Sequence, residues 1–213
     1  MTAASDTDRV ANQVEPDHLL QAAQVCRRVL EPFVEQEWDV QAGDLTWDVR
    51  KKVSHVSDAV GWSAAQLAQQ SPRRLRFDFL AHGDASNAEL LDVLEAAAAT
   101  LAHVARAAPP GARAFHSAGM ADTCGVLAMG CDEILVHGWD AIRGLGGDFA
   151  PRADLAERTL RRLFPWVSPD PSPWLALLWA NGRIDLQGQP TRPGPDWVWH
   201  CAPLDEWNGT VPH

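Results

Sequence analysis

Apolar residues recur at helical spacing in four stretches along the first two thirds of the chain. The first runs from Asp17, a natural N-cap, through HLLQAAQVCRRVLEPFVEQ. Leu19, Leu20, Ala23, Val29 and Leu30 give it an apolar stripe, and Pro32 is placed to kink it. The second starts near Thr46 and carries Val49, Val53, Val56, Val60 and Leu67 on one side. The third opens at Ser86, where SNAE pairs the serine with Glu89 as a capping box, and stops at Pro109-Pro110-Gly111. The fourth runs from near Gly119 to the glycine-rich end at Gly144-Leu145-Gly146-Gly147.

The connections set the topology. A short turn around Ala42-Gly43-Asp44 makes helices one and two antiparallel, and a modest loop does the same for helices three and four. The longer run SPRRLRFDFLAHGDA between helices two and three can return along the bundle before the next helix starts. The expected fold is therefore all-α, an up-down-down-up four-helix bundle over residues 15–150, preceded by a frayed segment, 1–14. Residues 151–213 read as an extension packed on the bundle. It carries one short helix, RADLAERTLRRLF, and the segments RIDL and WVWH as a candidate β-hairpin. Six of the ten tryptophans lie in this Pro-rich tail, which is too small to build an independent core.

The formal net charge of −10 excludes the basic footprint of a nucleic-acid binder and disfavours anionic membrane surfaces. No stretch has spanning length and no secretory signal is visible, so a cytoplasmic protein is expected, as a monomer or homodimer. Cys26, Cys124, Cys131 and Cys201 form no CxxC pair and read as free thiols, Cys131 as a small buried apolar residue. Tyrosine is absent, so a proton donor must be His, Asp, Glu, Cys or water.

Against this background three residues look like an open metal cage. Glu133 and His137 are four apart and share a helix face, on an otherwise apolar segment. His55, near the start of helix two, reaches their level near the end of helix four only if those helices run oppositely, as the crossover topology requires. Two imidazoles and a carboxylate suit Zn2+, with Fe or Ni as alternatives, and leave coordination positions open. Asp58 and Asp140, three residues after each histidine, are placed to take the second imidazole N–H. The bland alternative is a core histidine beside a surface i,i+4 pair.

Two stretches, LTWDVRKKVSHVSD and GMADTCGVLAMGCDEILVHGWDAIRGLG, resemble the second and fourth helices of DinB-like proteins. The closer resemblance is to the branch named for mycothiol-dependent maleylpyruvate isomerase, over about residues 15–150. It implies the crossover bundle, a divalent metal at His55, Glu133 and His137, and a low-molecular-weight thiol such as mycothiol as co-substrate. The tail here is shorter and richer in tryptophan than the sterol-carrier-like domain of those isomerases. The implied activity is S-transfer or cis–trans isomerisation of a small electrophile by a metal-activated thiol. The alternatives are a hydrolase with metal-bound water and a non-catalytic binding or stress module. Trp47, Trp62, His82 and Arg143 are the expected pocket residues, with Arg143 placed to hold a carboxylate. His116, in the loop before helix four, is assigned to the opposite end and given no role.

Overall fold

The computed structural model describes residues 13–43, 46–188 and 199–211. Four helices carry the core: α1 (Pro16–Leu30), α2 (Val49–Gln69), α3 (Asn87–Ala107) and α4 (Thr123–Gly144). Two more, α5 (Ala153–Leu163) and α6 (Pro173–Ala180), follow. The only strands among the described residues are β1 (Arg113–His116) and β2 (Gly119–Asp122), an antiparallel hairpin pairing His116 with Gly119.

Polar pairs at the helix ends fix the directions. Arg106 of α3 pairs with Asp17 of α1, while Arg27 reaches Asp92 at 2.7 Å and Glu95 at 3.1 Å, so α1 and α3 are antiparallel. Arg50 holds Asn87 at 3.2 Å, start to start, so α2 and α3 are parallel. The Val14 N–H meets Cys124 Sγ at 3.3 Å, so α1 and α4 are parallel. The bundle is up, down, down, up. Each of α1 and α2 packs against both α3 and α4, and α3 and α4 stand across a diagonal. Leu19, Leu30, Leu91, Leu94, Leu101, Ile134 and Leu135 are fully buried between them.

Local chemistry moves several boundaries. Helix α1 is capped at Glu15, two residues before the expected cap at Asp17, because Pro16 suits the first helical position. It ends at Leu30, and Pro32 sits in a separate 3-10 turn, Glu31–Phe33. Asp48 caps α2 by accepting from the Lys51 N–H at 2.6 Å. The link from α1 to α2 is longer than the expected short turn and is closed by a bridge between Gln41 and Asp48. The Ser86–Glu89 capping box is present. Asp122 caps α4, so α4 starts at Thr123, and the residues before it form the hairpin instead of a helical turn.

The crossover is tied to α2. Gly61 allows it, since a Cβ there would fall 2.3 Å from the Phe79 ring. Buried Gln66 accepts from the Leu75 N–H at 2.8 Å and donates to Arg73 O and Phe115 O, both at 3.2 Å. One amide thus holds the crossover and β1 together.

Beyond residue 150, α5 packs on α4 and α6 on α5. Helix α6 is an element that the Pro/Trp composition concealed. The expected RIDL strand lies in bends and coil; the first half of its WVWH partner falls outside the described residues, and Trp199 and His200 are in no strand. So do residues 1–12 of the segment expected to fray, whereas Val14 is buried.

Candidate metal centre

The antiparallel course of α2 and α4 brings the start of one beside the end of the other. His55 Nε2 lies 3.6 Å from Glu133 Oε2, and His137 Nε2 lies 3.1 Å from the same oxygen. The three ligand atoms all fall within 4.8 Å of one another. Ligands about 2.0–2.2 Å from one cation stand roughly 3–3.5 Å apart, so these spacings are close to what a shared cation requires.

The electrostatics favour a cation. Asp140 Oδ2 lies 2.9 Å from His137 Nδ1 and accepts a hydrogen bond from its N–H, which turns the Nε2 lone pair toward Glu133. Glu133 Oε2 is buried and accepts no hydrogen bond from the described residues, despite the 3.1 Å approach. Electron-rich atoms therefore converge on one point, an arrangement that costs free energy unless a cation or a proton is shared among them. Burial alone would raise the Glu133 pKa, but the two imidazoles hold it below the usual carboxylate value. Burial alone would lower that of His137, but Glu133 and Asp140 raise it overall. His55, with burial dominant, is lowered and stays neutral more readily.

Asp140 is fixed from its other side by Arg183, whose Nη2 donates to Oδ2 at 2.9 Å while Nη1 holds Asn181 O at 2.7 Å. Asp132, buried beside Glu133, accepts from Asn181 Nδ2 at 2.8 Å and Trp199 Nε1 at 3.1 Å. Burial, with the Glu133 charge behind it, raises its pKa to about 7. The extension is thereby fastened to the helix that carries Glu133 and His137.

A cavity of about 170 Å³ opens on the His55–Glu133 side. Asp58 and Trp62 of α2 and Met129 of α4 line it, with His116 from the hairpin, Arg74 from the crossover and Trp199 from the tail. A wider groove of about 750 Å³ lies near Val14, Pro109 and Cys124, and no cluster of ligand atoms converges there among the described residues.

The expected residues divide. Trp47 meets His55 edge-on at 5.2 Å, and Trp62 lines the cavity with its Nε1 donating to Leu75 O. Asp58 lines it too but does not serve His55, because its Oδ1 accepts from the Phe79 N–H at 2.6 Å. His82 is exposed on the crossover and away from the cavity. Arg143 points outward onto Trp139 at 5.3 Å, and Arg183 is the guanidinium at this end instead. His116 is the clearest departure, since the hairpin carries it back along α2 into the cavity. The cysteines are free, as expected. Burial pushes the Cys26 thiol to about 12 and Cys201 to about 11, with Cys131 higher still.

Residues 19–142 match the family model described as "Mycothiol maleylpyruvate isomerase N-terminal domain". No curated protein and no solved structure gives a significant match. No helix among the described residues is long and apolar enough to cross a membrane.

Proposed function

Because the chain belongs to the mycothiol maleylpyruvate isomerase N-terminal domain family, we propose that it is a metal-dependent enzyme that uses a small thiol of the mycothiol kind on a small electrophilic substrate, by S-transfer or cis–trans isomerisation. The observation that carries this reading is the convergence of His55, Glu133 and His137 on one point beside a cavity. These three residues would hold the cation, and their donor set suits zinc, with iron or nickel as alternatives. A bound divalent cation supplies Lewis acidity, which deprotonates a thiol near neutral pH.

The chain's own residues prepare the site. Asp140 holds the His137 proton on Nδ1, and Arg183 keeps Asp140 ionised and in place. Trp47 packs edge-on against His55, and Trp62 forms part of the cavity wall. None of the four cysteines lines the cavity, so a thiol must come from outside the chain. A hydrolase is the competing reading, and it draws on Asp58 as a second carboxylate in the cavity. Metal analysis followed by assays with and without thiol tests the proposal. Turnover of electrophiles that needs both metal and thiol supports it. Metal-dependent turnover indifferent to thiol replaces it with the hydrolase.

Two further outcomes are expected. Asp140→Asn removes the carboxylate charge that holds the His137 tautomer and takes the ionic partner from Arg183, so metal affinity should fall about 10–100-fold in chelator competition. Acid should also release the metal. The pKa of His137 is raised above 6.5, so its proton stabilises the metal-free protein fully below that value and stops doing so as pH rises through the raised pKa. Proton and cation compete for Nε2, so metal affinity should weaken as pH falls from neutrality through the raised value. Dialysis against a metal buffer at several pH values reads this, and a flat profile across that range contradicts it.

A further inference from the structure

His116 is held in one tautomer by the hairpin that delivers it. The Ala118 N–H donates to its Nδ1 at 3.1 Å, so the neutral ring keeps its proton on Nε2. Burial lowers its pKa, which keeps the ring neutral at pH 7. Nε2–H has no partner among the described residues, and the ring stands between Trp62 and Trp199, at 6.5 and 5.4 Å. Arg74 lies over Trp62 with its guanidinium 5.2 Å from the ring centroid and makes no ion pair with a described residue. Among the described residues the cavity thus carries an N–H without a hydrogen-bond partner and a guanidinium without an ion pair, in addition to His55 and Glu133. Its other acid, Asp58, has one oxygen committed to the Phe79 N–H.

We propose that His116 and Arg74 form a carboxylate subsite in this cavity, binding the anionic end of a molecule whose other end reaches His55 and Glu133. A neutral imidazole N–H and a guanidinium match a carboxylate, the first fixing direction and the second supplying charge. The cavity is smaller than a drug-sized site, so the occupant is a molecule of few heavy atoms. The subsite rests on the metal-and-thiol reading above, and the test separates the two.

The full chain is loaded with Co2+ and titrated with propanethiol and with 3-mercaptopropionate, following sulfur-to-cobalt absorption. 3-Mercaptopropionate should bind about tenfold more tightly than propanethiol. His116→Phe and Arg74→Gln should each remove most of that preference while leaving propanethiol affinity and metal content unchanged. Arg74 is exposed, so its variant tests the subsite even if the hairpin tolerates His116→Phe poorly. Equal affinity for the two thiols, or a preference that survives Arg74→Gln, overturns the subsite and leaves the metal-and-thiol reading standing. Absence of any spectral change with either thiol overturns that reading, and the subsite with it.

Discussion

Replacing His137 with alanine is expected to remove metal binding and activity together. Structural zinc sites are worth about 10–16 kcal/mol at neutral pH, so one of three protein ligands carries roughly 3–5 kcal/mol. Each 1.4 kcal/mol is tenfold, so affinity should fall by about two to four orders of magnitude. His137 is the sharpest choice because Asp140 and Arg183 have already fixed its ring at no further entropic cost. Glu133→Gln tests the charge separately. It keeps the shape but removes the anion that both imidazoles face, and it should lose metal to a similar degree. His103→Ala is the control, since that ring is exposed on α3 and among the described residues bonds only its own helix carbonyl at Ala99. Competition against a colorimetric chelator gives the affinities. Near-stoichiometric metal of unchanged affinity in His137→Ala would show that the three residues do not form the site.

The parts of this site that are legible in the chain depend on local spacing. Glu133 and His137 share a face because a helix repeats every 3.6 residues, and the height of His55 follows from the crossover. The capping box at Ser86 is equally local. The residues that escape a sequence reading are placed by contacts between distant segments. His116 enters the cavity because Gln66, 49 positions away from Phe115, pins the hairpin. A signal for the hairpin does exist, in the alternation that buries Ala114 and Ala121 and in Gly119 at a φ of 135°. Arg143 and Arg183 are both basic residues at a helix end, and nothing local says which turns inward. The first has Trp139 to lie on, while the second follows α6, a helix hidden in an apolar tryptophan-rich run. Asp58 has the right offset from His55 but faces the crossover, whose path the spacing does not specify.

Arg162→Met should be the most destabilising single change outside the bundle core. Residues 161 and 162 are both arginine on an amphipathic helix. Arg161 faces outward to Glu157 at 2.8 Å, and Arg162 is fully buried. Its guanidinium pairs with Asp122 and donates to the carbonyls of His200, Cys201 and Ala202 at 2.9, 3.0 and 2.9 Å. Methionine fills the volume but leaves an acid and three carbonyls with one partner fewer, a loss of about 3–5 kcal/mol. Lysine restores one charge but not the fork, so Arg162→Lys should fall between. The damage should reach the site along two routes. Asp122 caps the helix that carries Glu133 and His137, and the tail held by Arg162 places Trp199 on Asp132. The tail lies close enough to α4 that a Cβ on Gly125 would sit 2.2 Å from Cys201 O. Urea unfolding followed by tryptophan fluorescence gives the stability, and protease cleavage within residues 199–211 reports release of the tail. A loss below about 1 kcal/mol, in the range of exposed ion pairs, would mean that this arginine does not secure the tail.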